Sequence, residues 1–238
     1  MSFRNVKRIA TGALALTLSV GGANAAGSGV SNLIVARQLE PPHLDPTSAA
    51  AGAIDEVTYS NIFEGLTRFG ADGSVNAGLA SDWAISADGL SYTFNLRQGV
   101  KFHDGTSLDA GDVKFSLDRA RAEDSTNAQK ALFAAIGDVS VTDANTVVVT
   151  LSEPNGLFLF NMAWGDAVIV APESIDDIAS NPVGTGAFKF SKWTQGDSIE
   201  ILRNDDYWGT PAKLEGATFK FISDPTAAFA AMMAEDID

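Results

Sequence analysis

The chain has 238 residues, 45% of them hydrophobic, with 16 lysines and arginines against 30 aspartates and glutamates, a net charge of −14. So acidic a surface argues against nucleic acid and against anionic lipid as partners, and it reads as a soluble, self-repelling protein. Cysteine is absent, which removes disulfides, thiolate metal sites, a thiol nucleophile and a lipid-modified cysteine anchor together.

At the start, Arg4, Lys7 and Arg8 precede an apolar run from Ile9 to Val20 and then Ala23-Asn24-Ala25. A charged start, an apolar segment too short for a bilayer and a small-x-small site predict a secretory signal peptide over residues 1–25, cleaved before Ala26. Its removal takes away three cations and no acid, leaving 13 basic residues against 30 acidic ones and a net charge of −17. The 213 residues that remain suffice for a sizeable core, and their mixture of short strands, hairpins and a few helices predicts an α/β or α+β architecture.

Asn32 to Ala36 is a nearly continuous apolar run, predicting a strand buried on both faces. Pro41, Pro42 and Pro46 then fix φ and remove donors, so this piece is expected to be a rigid extended loop. Ile54, Val57 and Ile62 recur at helical spacing, with Gly65 placed as a C-cap of positive φ. Asn61 and Glu64 either reach a cleft or satisfy backbone at that helix end, and cap preferences favour the second role. Leu66–Phe69 and Leu79–Trp83 read as strands on either side of a turn at Ala71-Asp72-Gly73, and Asp88-Gly89 joins Trp83–Ile85 to Leu90–Leu96 as a hairpin.

Gly99 to Ala120 organises the chain. Gln98-Gly99 and Asp104-Gly105 supply two turns around Val100 and Phe102. Asp109 and Asp112 then form a capping-box-like start to a helix. That helix buries Val113, Leu117 and Ala120, and it leaves Lys114, Asp118, Arg119 and Arg121 wet. The polar stretch Asp124–Asn127 reads as a loop. A second hairpin follows, from Val139 and Val141 through Asp143-Ala144-Asn145 into Thr146–Leu151.

Leu157 to Trp164 is apolar and helical by composition, and Val168 to Val170 reads as a return strand. Trp164 offers a flat apolar face to a cleft, although core packing is the preferred reading. Pro182–Phe188 is glycine-rich but matches no phosphate loop, and a strand follows it instead of a helix. Phe188, Phe190, Ile199 and Ile201 alternate on a hairpin around Gln195-Gly196-Asp197. Thr218–Ile222 is a strand, and Asp224 caps a helix that starts at Pro225 and runs through Met233.

The strand, two turns and capped helix from Leu90 to Ala120 resemble the signature segment of the family 5 extracytoplasmic solute-binding proteins, the peptide, nickel and opine receptors of ABC importers. Tyr59–Leu66, Gly184–Phe188 and Arg203–Gly209 are similar to further segments of that family. The resemblance implies an α/β fold of the periplasmic-binding-protein type (type II, Venus-flytrap). It implies a first lobe from residues 26–78 and 180–238, a small mixed α+β domain inserted at 79–179, and an absent second lobe. It also implies ligand contacts at Leu39, Glu40 and Pro41 after the first strand, and at Thr185 and Gly186 in the glycine segment.

The function so implied is capture of a short peptide, or a related small solute, in the periplasm and its delivery to an ABC transporter permease, with no stable membrane insertion. Relatives are about twice as long, so the chain is expected to be a truncated form, without the residues that meet peptide termini in the family. The alternative is a periplasmic sensory or chaperone-like module that binds a partner protein. No cofactor is expected. The only histidines, His43 and His103, stand in no metal-binding or catalytic spacing, so an enzyme is not expected either.

Overall fold

The computed structural model describes residues 31–49 and 51–238; the expected signal peptide lies outside them. In chain order the main elements begin with β1 (Asn32–Arg37), α1 (Gly52–Thr58), β2 (Thr67–Phe69), β3 (Val75–Ala77), β4 (Ala80–Ile85), β5 (Ser91–Leu96) and α2 (Ala110–Arg121). They continue with β6 (Ile136–Asp143), β7 (Thr146–Leu151), α3 (Phe158–Asn161), β8 (Phe188–Thr194), β9 (Ser198–Arg203), β10 (Gly216–Phe221) and α4 (Pro225–Met233).

Period-2 alternation of apolar residues builds two four-stranded sheets. One has the order β4-β5-β7-β6 and is antiparallel throughout. The other has the order β1-β10-β9-β8, with β1 parallel to β10 from Asn32 opposite Gly216 to Arg37 opposite Phe221, and its other pairs antiparallel. Each sheet has its own core. Phe94, Val147 and Val149 belong to the first, whereas Leu44, Val57, Phe63, Ile199, Ile201 and Phe219 belong to the second.

Helix α2 serves both cores. Its Val113, Leu117 and Ala120 sit in the first, and Phe115 packs against the second. Ser116, buried between them, accepts from the Val170 N–H at 2.9 Å and donates to the Asp112 carbonyl at 2.8 Å. The capping box fixes where α2 begins: Asp109 accepts from the Gly111 N–H at 2.6 Å, and Asp112 accepts from the Asp109 N–H at 2.8 Å. Gly99 and Gly105 have φ of 76° and 92°, as the two turns before the helix require.

Several local expectations change. Strand β1 is an edge strand, bonded within its sheet to β10, and its residues from Leu33 to Arg37 are half-buried where two buried faces were expected. The first helix ends at Thr58, so Ile62 falls in the following turn, and Ser60 carries the positive φ of 58°. Gly65 is required by close approach instead, because a Cβ there would stand 2.7 Å from the Met162 carbonyl oxygen. The apolar run to Trp164 is helical over Phe158–Asn161 alone, and Val168 makes one isolated bridge to Gly65 where a strand was expected. Lys114, Asp118, Arg119 and Arg121 are half-buried, each held by a partner, because α2 has a core on two sides.

The glycine segment before β8 presses on the chain that follows α1. A Cβ on Gly184 would overlap the Ile62 carbonyl, and one on Gly186 the Asn61 carbonyl. Gly184→Ala is therefore expected to lower stability by about 3 kcal/mol or more, since backbone must move. Gly156→Ala, at a site with open space, is expected to leave the thermal midpoint within a degree or two. Thermal unfolding of the two variants beside the parent checks this.

Candidate functional site

Glu64 is the point where three distant segments meet. Its half-buried carboxylate accepts from Thr185 Oγ1 at 2.9 Å, from the Tyr207 hydroxyl at 2.8 Å and from Trp208 Nε1 at 2.8 Å. Burial pushes its pKa up, against the three donors and the nearby Arg68 guanidinium, which favour the charged form. The Tyr207 hydroxyl is raised in turn, by burial first and then by the Glu64 charge. Above this group, the Arg97 guanidinium lies over the Trp208 ring at 4.4 Å and donates through Nε to the Gly78 carbonyl at 2.7 Å.

His103 holds the same glycine segment from the other side. Its Nε2 donates to the Gly186 carbonyl at 3.0 Å, and its Nδ1 accepts from the Gly184 N–H at 3.3 Å. Asn204 Nδ2 donates to the Gly186 carbonyl as well, at 3.0 Å. Burial pushes the imidazole down to about 4, so the ring is neutral near pH 7. With both nitrogens engaged, it is a brace and not an available base.

The sequence-predicted residues fall into two groups with no hydrogen bond between them. Leu39 is 66% exposed, and the Glu40 carboxylate accepts from Trp193 Nε1 at 2.8 Å and from the Gly196 N–H at 2.9 Å, tying the proline loop to the β8–β9 turn. Pro41 is buried. Thr185 and Gly186 are buried on the Glu64 and His103 braces, with the Gly186 N–H donating to Ile62 at 2.9 Å. Asn61 turns back to the Val57 carbonyl at 3.0 Å, and Glu64 takes the structural role just described.

Other parts of this surface carry no signal in the sequence reading. Asp45, buried in the proline loop, accepts from the Thr47 N–H at 2.8 Å and from Arg119 Nη2 at 3.3 Å, and Arg119 also donates to the Thr47 hydroxyl. Asp45-Pro46-Thr47 is a legible Asx turn; its pairing with Arg119 is not. A cavity of about 340 Å³ opens between Thr47, Arg119, Asp124, Ser125 and Thr126. Beside it Asn127, buried, donates to the Asp166 carbonyl at 2.9 Å. A larger polar groove of about 760 Å³ runs over Asn95, Arg97, Asn145 and Trp208. Trp164, expected in the core, is 40% exposed and meets Phe69 and Phe160 edge-on at 6.4 and 6.3 Å.

Among the described residues, no group of three or more histidines, cysteines or carboxylates is arranged to hold a metal ion, and no helix is long and apolar enough to cross a membrane. Residues 74–238 match the family described as bacterial extracellular solute-binding proteins, family 5 middle. The chain belongs to this family. It is 35% identical over 187 residues to the glutathione-binding protein GsiB of Pectobacterium atrosepticum, covering 76% of this chain and 36% of GsiB. Two solved relatives superpose closely. AgaA from A. tumefaciens R10, in complex with agropinic acid, has a TM-score of 0.81 at 32% identity and matches 87% of this chain and 43% of its own. DppA from Helicobacter pylori, in complex with the peptide STSA, has a TM-score of 0.79 at 29% identity and matches 87% of this chain and 45% of its own. The described residues thus have the fold of one lobe of the type II family 5 proteins, and the chain spans less than half the length of these relatives.

Two outcomes test the braces. Glu64→Ala leaves three donors without their acceptor and is expected to cost on the order of 3 kcal/mol in urea unfolding, with Glu64→Gln costing less. His103 is neutral in the fold with its pKa below the ordinary 6.5. Its contribution is complete above about pH 6.5 and is lost as pH falls toward 4. Relative to His103→Gln, the parent is expected to lose up to about 3 kcal/mol across that window, read from denaturation midpoints at stepped pH.

Proposed function

We propose that this chain captures a short peptide, or a related small solute, in the periplasm and delivers it to the permease of an ABC importer. The observation that carries this reading is membership of family 5 over residues 74–238. The named ligands of its relatives, glutathione for GsiB and the peptide STSA for DppA, support peptide as the solute class. The chain works by binding and not by catalysis, in keeping with relatives named for what they bind and with the engaged ring of His103.

In this reading residues 26–78 and 180–238 form the main lobe and 79–179 the inserted unit, with residues 1–25 as the cleaved export signal. Leu39, Glu40 and Pro41 form the solute-facing edge. Thr185 and Gly186 add ligand contacts from the glycine segment, which Glu64, His103 and Asn204 hold in place. The exposure of Leu39 and the anchoring of Glu40 to the β8–β9 turn suit a rigid rim that contacts a ligand without rearranging.

Uptake of a labelled tripeptide by cells deleted for this gene is the direct test. Uptake is expected to fall about tenfold or more and to return with the gene. Unchanged uptake, together with no rise in the protein's melting temperature on adding glutathione, dipeptides or tripeptides, would overturn the reading in favour of a partner-binding module.

A further inference from the structure

Asn155-Gly156, in the loop between β7 and α3, is the one Asn-Gly pair in the chain. Gly156 is exposed, its N–H donates a hydrogen bond to no described residue, and a Cβ placed on it would meet nothing within 4 Å. Asn155 beside it is half-buried, with Oδ1 accepting from the Leu157 N–H at 2.9 Å and Nδ2 donating to no described residue.

The three Asp-Gly pairs of the chain are built differently. At Asp72-Gly73, Asp88-Gly89 and Asp104-Gly105 the glycine N–H is committed to a carbonyl, that of Gly70, Ser86 and Phe102 in turn, each at 2.9 Å. Their side chains are acids where Asn155 has a neutral amide, and the Ser74 and Ser86 hydroxyls hold Asp72 and Asp88 below the ordinary carboxylate range. An ionised carboxylate resists attack by a nucleophile, and an engaged amide does not readily become one. Only at Asn155 are the attacking nitrogen and the carbon it would attack both free to react.

We infer that Asn155 is a site of self-modification, at which the Gly156 nitrogen closes on the Asn155 side-chain amide and the residue is converted to aspartate and isoaspartate. The Gly156 nitrogen gives its proton to solvent hydroxide and bonds to Asn155 Cγ. Negative charge then collects on Oδ1, where the Leu157 N–H is already placed to receive it. Cleavage of the Cγ–Nδ2 bond, with a proton from water, releases ammonia and leaves a cyclic imide. Water opens that ring at Cγ, which yields aspartate, or at the main-chain carbonyl, which yields isoaspartate. One water is consumed and one ammonia released, with no change of oxidation state, and the reacting groups sit on adjacent residues, so no encounter is needed. The loop is exposed, but what hangs from it is not. The Asn155 carbonyl accepts from the Phe158 N–H at 3.1 Å and from the Tyr92 hydroxyl at 3.4 Å, and Phe158 is fully buried with its ring 4.7 Å from that of Tyr92. Isoaspartate takes this carbonyl out of the main chain and lengthens the chain by a methylene, so a change in an outer loop reaches the core through Phe158.

Ageing the full chain in mildly alkaline buffer, beside a free peptide of residues 152–159, tests the inference, with proteolysis, mass spectrometry and chromatographic separation of isoaspartate from aspartate as the readout. In the folded parent, position 155 is expected to change from amide to acid within about tenfold of the peptide's rate, with isoaspartate among the products, and Gly156→Ala is expected to slow the change about tenfold or more. Open space around Gly156 keeps that variant folded. The aged parent is expected to unfold at a lower urea concentration than the fresh one, whereas Asn155→Asp, which has the charge on an ordinary backbone, is expected to stay close to the fresh parent. Asn155 retained in the folded chain after the peptide has converted, or an equal rate in Gly156→Ala, overturns the inference. An aged parent rich in isoaspartate yet as stable as the fresh one overturns the link to the core.

Discussion

One half-buried carboxylate decides how the segments of this lobe meet. Glu64 lies just past the first helix, and the groups that satisfy it, Thr185, Tyr207 and Trp208, come from more than a hundred residues further along the chain. A charge in that position is tolerable only with all three donors in place, since each missing bond leaves polar groups stranded away from water. The interaction therefore acts less as a source of net stability than as a selector of topology. An arrangement that failed to return the glycine segment and the Tyr207-Trp208 turn to Glu64 would leave an acid in an apolar setting. His103 adds a second, uncharged condition on the same glycine segment, so Gly184 to Gly186 is fixed from both sides.

Helix α2 extends this constraint to the other sheet. It faces one core with Val113 and Leu117 and the other with Phe115, and Ser116 bonds across the boundary to Val170. A helix so placed has little freedom to shift, and its start is pinned by the reciprocal Asp109 and Asp112 cap. The two cores are thereby held in one orientation by side chains four residues apart or fewer. The proline loop, itself clamped to α2 through Asp45 and Arg119, inherits that rigidity.

What could be read in the sequence was local. The cap of α2, the turns at Gly99 and Gly105, the hairpins and the Asp224 cap of α4 each depend on neighbours within a few residues, and those neighbours are visible in order. The edge position of β1 was not visible, because an apolar run reads alike at an edge and at a centre. Gly65 was read as a helix cap when it is needed for a close backbone approach, a requirement set by Met162 almost a hundred positions away. Trp164 was assigned to the core on hydrophobicity, yet with Phe69 and Phe160 it forms an exposed aromatic group. On the candidate site, the resemblance pointed to Thr185 and Gly186, but neither spacing nor composition could show that both are buried.

The parallel pairing of β1 with β10 has a consequence in time as well as in space. A polypeptide emerges from the ribosome with its amino end first. β1 is complete after residue 37, while its partner does not exist before residue 216. Glu64 likewise waits for Thr185 and Trp208. For most of its synthesis β1 has no native mate, and non-local pairing of this kind is slow to form. The sheet of β1 and β10 therefore closes only once residue 221 has emerged, long after the β4-β5-β7-β6 sheet has all its strands.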